Sequence, residues 1–180
     1  MRTTLICLII CISLLSAEAQ DVKNTSYKTS NGEKVLRIEM IVPLSQKQAW
    51  AYFTEDEKLK AWVAPLAHME LKTGGYMVTN YDKAKSLDDK SSIKIAITNY
   101  LEHELISMKV DLNDNFTQKV QDEDNNLQEV IQLIPIDSSH TKIISSMIGW
   151  GTGPDWEKTY SFFEKGNDWT YRGLMKLFKK

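Results

Sequence analysis

Hydrophobic side chains recur at every second position through long stretches of this chain. Leu36, Ile38, Met40 and Val42 alternate with Arg37, Glu39 and Ile41, the period-2 pattern of a strand with one face buried. Ile93, Ile95, Ile97 and Leu101 alternate with Lys94, Ala96, Thr98 and Tyr100, and Ile106, Met108, Val110 and Leu112 alternate with Ser107, Lys109 and Asp111. Only residues 102–104 divide these last two runs, so the spacing predicts an antiparallel hairpin. Residues 127–134 and Thr141–Ile148 read as two further strands joined across Asp137-Ser138-Ser139. Residues 68–71 and 76–81 flank Gly74-Gly75, a tight-turn signal.

The period changes in three places. Ser45-Gln46-Lys47-Gln48 is a capping box that opens a helix with Ala49, Trp50 and Phe53 on its apolar face. Thr54-Glu55-Asp56-Glu57 repeats the signal ahead of Leu59, Trp62 and Val63, and Pro65 ends that helix. Gly153-Pro154-Asp155 starts a longer helix, because proline tolerates the first helical position. Trp156, Tyr160 and Phe163 fall at i, i+4 and i+7, and Tyr171, Leu174 and Phe178 continue the stripe. Gly166-Asn167 lies between and is a candidate kink. The order is strand, two small helices, about six antiparallel strands and a terminal helix. Residues 20–33 are polar and are expected as a flexible lead-in to one domain over 34–180.

The first nineteen residues carry a different signal. Met1-Arg2 precedes an unbroken apolar run over 5–15, and Ala17-Glu18-Ala19 supplies small residues for a signal peptidase. The run is shorter than the roughly 20 apolar residues that span a bilayer. The expectation is an exported, periplasmic or secreted protein cleaved after Ala19, with no stable membrane insertion once the leader is gone. Both cysteines, Cys7 and Cys11, lie in the leader. The remaining chain can hold no disulfide, thiolate catalyst or cysteine-metal site. An exported domain without disulfides points to a bacterial setting. Charge adds little: 22 Lys+Arg against 24 Asp+Glu give a formal net −2, unlike the basic footprint of a nucleic-acid binder. Lys176, Lys179 and Lys180 read as cations at a helix C-terminus, where the dipole favours them.

That element order is the α+β helix-grip arrangement, a curved antiparallel sheet of about six to seven strands around a long C-terminal helix. The residues also resemble a family. The strand over 35–42 running into Pro43-Leu44-Ser45 and Trp50, the segment Leu59-Lys60-Ala61-Trp62, the turn Gly74-Gly75 and the closing Gly149-Trp150-Gly151-Thr152-Gly153-Pro154-Asp155-Trp156 are similar to SRPBCC (START-like) domains. Within them, the chain is most like the homologues of the activator of the ninety-kilodalton heat-shock protein ATPase. The resemblance covers residues 34–178. It implies a cavity between sheet and terminal helix that holds an apolar or amphipathic small molecule. The residues expected in its wall are Trp62, His68, Tyr76, Met108, Trp150, Tyr160 and Phe163. An exported protein would not meet a cytosolic chaperone, so that partner is not expected. A monomer or weak dimer is.

Motif chemistry is sparse. His103 falls in a hairpin turn and His140 at a loop edge, both expected in solvent, while His68 could look into the cavity mouth. No pair of histidines has helical metal-site spacing. Asp111, Asn113 and Asn115 open like a calcium loop, but Phe116 stands where glycine is needed and Asp122 where glutamate is. The plain reading is a polar turn running into Asp122-Glu123-Asp124. No cofactor, metal or catalytic residue is therefore expected. The tryptophans Trp50, Trp62, Trp150, Trp156 and Trp169 are expected in the core or the pocket wall. Binding without catalysis is the leading reading. A cyclase- or hydrolase-type enzyme using His68 with a nearby carboxylate, or a structural domain with a filled cavity, stand as alternatives. The leader reading is testable alone: intact-mass analysis of the exported protein should give a chain beginning at Gln20, and retention of Cys7 and Cys11 would refute it.

Overall fold

The computed structural model describes residues 22–179. The expected leader and its cleavage site lie outside them. Two short strands come first, β1 (Lys23–Asn24) and β2 (Tyr27–Lys28). Both pair antiparallel with β3 (Lys34–Val42). The segment expected as a lead-in is thus partly hydrogen-bonded to the sheet. Two-residue strands are too short to show a period, which is why alternation did not reveal them.

β3 buries Leu36, Ile38, Met40 and Val42 as its alternation requires. Ser45 then caps α1 (Gln46–Thr54) in a full capping box with Gln48. Thr54 does not cap the next helix, α2 (Asp56–Leu59); it ends α1 and donates its hydroxyl to the Trp50 carbonyl at 3.0 Å, a back-bond open to any helical threonine. Six strands follow: β4 (Leu66–Glu70), β5 (Tyr76–Asn80), β6 (Ile93–Leu101), β7 (Leu105–Lys109), β8 (Gln128–Pro135) and β9 (Thr141–Ile148). Each pairs antiparallel with the next, and β9 returns to β3. Among the described residues the sheet has nine strands, in the order β1-β3-β9-β8-β7-β6-β5-β4 with β2 also on β3. This corrects the expected six to seven.

Between β7 and β8 the calcium-like stretch contains a short helix, α3 (Gln118–Glu123), capped by Thr117. Val120 is fully buried there. The acidic run is not a simple solvated turn. Glu123 accepts the Trp156 indole N–H at 2.9 Å, and Asp124 pairs with Lys109.

The terminal helix α4 (Pro154–Lys176) runs 23 residues without a break at Gly166. Glycines set its start. Gly149 has φ +86°, and a Cβ there would stand 2.1 Å from the Asn126 carbonyl oxygen. A Cβ on Gly151 would enter the Trp156 indole at 2.2 Å. Small residues in this stretch therefore let the chain turn off β9 and seat Trp156, which is 2% exposed.

Two apolar clusters result. The larger joins α1, α2, the sheet and the end of α4 through Tyr171, Leu174 and Met175. The smaller gathers Leu36, Val120, Leu127, Met147 and Trp156, with Phe116, Trp150, Tyr160 and Phe163 packed against it. Trp50 and Trp156 are buried, and Trp62 and Trp150 half-buried. Trp169 departs from expectation: it is 67% exposed on the outer side of α4, because it falls off the Trp156–Tyr160–Phe163 stripe.

Burial ranks the consequences of truncation. Trp156→Ala should cost about 3–5 kcal/mol, the range for a large buried aromatic. Phe163→Ala should cost less because its ring is half-buried, and the exposed control Lys158→Ala should stay within about 0.5 kcal/mol. Urea titrations of the three variants test the order; a Trp156→Ala protein as stable as wild type would mean the helix is not anchored there.

Candidate ligand cavity

One position breaks the apolar alternation of β8. Leu127, Glu129, Ile131 and Leu133 share a phase, and the last two are buried in the larger cluster. The pleat therefore turns Glu129 toward the core, opposite Met108 on β7 and Met147 on β9. Burial raises the pKa of its carboxyl, and hydrogen bonds from Ser145 and Tyr171 offset this only in part. The Ser145 hydroxyl reaches Oε1 at 2.6 Å from β9, and the Tyr171 hydroxyl reaches the same oxygen at 2.8 Å from α4. Oε2 has no protein partner among the described residues. The Tyr171 phenol is pushed well above its ordinary value by burial and by the adjacent carboxyl, so it stays protonated as the donor.

Glu129 borders a gap of about 70 Å³ between sheet and helix. Met69, Met77, Met108, Ile106 and Phe53 form much of its apolar wall, while Asn167, Thr170 and Tyr171 close it from α4. Asn167 donates to the Met147 sulfur at 3.2 Å. It takes the position four residues after Phe163 and four before Tyr171, so the helix stripe turns polar directly over the gap. A gap of this size admits a few waters. It falls short of the roughly 300 Å³ at which pockets for drug-sized molecules begin. Methionine walls are the most adaptable kind, being unbranched and soft.

Residues 43–179 match the family model described as activator of Hsp90 ATPase homolog 1-like protein. The chain belongs to that family. No curated protein matches the sequence. Several solved structures share the fold. A Mesorhizobium loti protein superposes with a TM-score of 0.60 at 13% identity, over 79% of this chain and 95% of that one. The Aha1 dimer of Colwellia psychrerythraea gives 0.58 at 12%, over 80% and 92%. A conserved Enterococcus faecalis protein of unknown function gives 0.50 at 18% over 69% of this chain; this chain spans only 60% of its length. These identities establish the helix-grip fold and nothing finer.

The family fold separates the expected wall residues into three places. Trp62 and Met108 line the gap. The Trp62 ring packs edge-on against Phe53 and tilts over Tyr171, and its N–H donates to the Tyr52 carbonyl at 2.9 Å. Trp150, Tyr160 and Phe163 lie in the smaller cluster, with Trp150–Tyr160 centroids 4.9 Å apart and Phe163 stacked on Phe116. His68 and Tyr76 stand on the opposite sheet face, since β4 turns Ala67 and Met69 inward and His68 outward. They border a separate depression formed with residues 87–94, so His68 does not look into the cavity mouth.

His68 Nδ1 lies 2.7 Å from Asp56 Oδ2. Burial raises the Asp56 pKa, but the bonds from His68 and the Met69 amide outweigh it and hold the carboxyl below its usual range. The carboxylate thereby ties α2 to β4. Of the other histidines, His103 is half-buried beside the Trp50 ring rather than free in solvent, and His140 pairs with Asp137 at a hairpin. Among the described residues no three His, Cys, Asp or Glu side chains gather as a metal site. The sequence reading passed over Glu129, Ser145, Asn167 and Tyr171 as a group. A carboxylate on the inward phase of a strand was the available signal.

The raised pKa of Glu129 has a definite sign. The folded state holds its proton more tightly than the unfolded chain, so this stabilisation is full below about pH 4.5 and is lost as pH rises through the higher folded value. Glu129→Gln keeps the shape and removes the titration. The variant should melt higher than wild type at neutral pH, with the gap narrowing toward pH 4 in calorimetry. A gap independent of pH would show that Glu129 is not desolvated.

Proposed function

We propose that this chain is an exported helix-grip domain that binds an apolar or amphipathic small molecule beneath its terminal helix, without catalysing a reaction. The observation that carries this reading is the Glu129–Tyr171–Ser145 cluster set in a methionine-rich wall between sheet and α4. A carboxyl in a protein interior usually has its lone pairs satisfied. Glu129 is half-buried, with two donors on Oε1, and its Oε2, to which no described residue donates, stays open. A ligand with an apolar body and a polar end would place its body among Met69, Met77 and Met108 and its polar end at Oε2. Export rests on the leader alone, and periplasmic or secreted placement follows from it. The Hsp90 in the family's description is not proposed as a partner, because a leader routes the chain away from the cytosol.

The small gap supports a second reading, a structural or interaction domain whose interior is filled by its own side chains. Native mass spectrometry of protein purified from its own source separates the two. The binding reading expects a bound small molecule that leaves on denaturation, together with uptake of a fluorescent apolar probe by the stripped, folded protein. Met108→Trp, which fills the gap, should abolish uptake. A folded protein that carries nothing and takes up no probe would leave the filled interior as the correct account.

A further inference from the structure

The outward side of α4 has its own pattern. Lys158, Phe162, Lys165, Trp169 and Lys176 recur at intervals of three, four and seven, so they form one stripe along a straight helix. Phe162 is 59% exposed and Trp169 67%. Lys158, Lys165 and Lys176 are exposed and make no ion pair among the described residues. Of the four acids of the helix, three lie to the flanks and have protein partners, and the fourth, Asp155, sits in the first turn at the N-terminal end of the stripe. Glu157 pairs with Lys34, Glu164 accepts from Asn24, and Asp168 holds Arg172. A merely solvated helix face would mix the signs. Beyond Asp155 in the first turn, this one carries only cations, on a chain whose formal net charge is −2, and interleaves them with two large exposed aromatics.

We infer that this stripe docks the domain on an anionic lipid surface, with Phe162 and Trp169 entering the interface and the lysines reaching the phosphates. The chemistry fits at each position. The Trp169 indole, a ring with a polar N–H edge, favours the membrane–water boundary, and the Phe162 ring adds apolar area that can enter it. Lysine can lay its methylene stem along apolar surface and carry its amine to the headgroups. From Lys158 to Lys176 the stripe spans about 27 Å at 1.5 Å per residue, a straight line suited to a plane. Phe116 extends the apolar part, its ring edge-on to Phe162 at 5.3 Å, and a shallow depression lies between Glu157, Lys158, Ser161, Phe162 and Lys165. Among the described residues no helix is long and apolar enough to cross a membrane, so the contact is peripheral. It does not depend on whether the interior holds a ligand.

The mature protein should co-sediment with phosphatidylglycerol–phosphatidylcholine vesicles, not with phosphatidylcholine alone, and should dissociate as salt rises. Lys158→Gln with Lys165→Gln should weaken binding about twenty-five-fold, from roughly fivefold per cation near an anionic surface. Phe162→Ala with Trp169→Ala should weaken it without changing its salt dependence. Brominated lipid should quench wild-type fluorescence more than that of Trp169→Phe. All four sites are exposed, and unchanged melting curves confirm that the variants fold. The inference is overturned if anionic vesicles do not bind, or if both double variants bind as wild type does. Equal affinity for a soluble polyanion, insensitive to Trp169→Ala, would also overturn it. So would a dimer in light scattering that Trp169→Ala dissociates, since the stripe would then face a second copy of the chain.

Discussion

The seating of Trp156 is the contact on which the arrangement depends. The sheet presents a largely apolar inner face, which α4 covers together with α1 and α2. That helix begins on a tight exit from β9, where Gly151 leaves room for the indole ring and Glu123 accepts its N–H. The ring then packs among Leu36, Val120, Leu127 and Met147. Residues from β3, α3, β9 and the β7–β8 and β8 approaches thus meet at one side chain. This fixes where the helix starts and which of its faces turns inward. Every position from Tyr160 to Met175 inherits its orientation from that start.

The interior that this helix covers is not uniformly apolar. Both clusters mix aromatic and aliphatic side chains, the methionines Met69, Met77 and Met108 gather at the gap, and Glu129, Asn167 and Tyr171 border it. A polar group taken from water without a partner costs free energy, so the bonds from Ser145 and Tyr171 are the condition for placing a carboxyl there. They also tie β8, β9 and α4 together at one atom. The arrangement is stable enough to fold around and still leaves one oxygen toward the gap.

The terminal helix carries two separate chemistries on its opposite sides. Its inner stripe is matched to the sheet, and a single polar step at Asn167 aligns with Glu129. Its outer stripe touches the rest of the domain through Phe162 against Phe116 and is otherwise exposed. Salt bridges to Glu157 and Asp168 and a hydrogen bond to Glu164 hold these acids close to their protein partners, which leaves the exposed sector beyond Asp155 cationic and aromatic. A helix of 23 residues is long enough for both patterns to be regular.

By itself the sequence determined the main strands, the helix capped at Ser45 and the terminal helix, and their order, but not the short α3 within the acidic turn. Alternation at Leu36–Ile38–Met40–Val42, the capping box at Ser45 and the proline start at Pro154 are local signals, and each acts within a few residues. Their order was enough to indicate a curved sheet around a helix. The two short strands before β3 were not legible, because two residues carry no period. The interior gap was not legible as a place: the fold sets Trp62 and Met108 beside it and His68 and Tyr76 at a separate depression. Glu129 stood on the inward phase of its strand, yet nothing local distinguishes a buried carboxylate from a strand-edge one. Only the tertiary structure decided that, by bringing Ser145 from the next strand and Tyr171 from a helix far along the chain to the same oxygen. Periodicity is a property of neighbouring residues, whereas the polarity a side chain meets is set by elements distant in sequence that the fold makes adjacent.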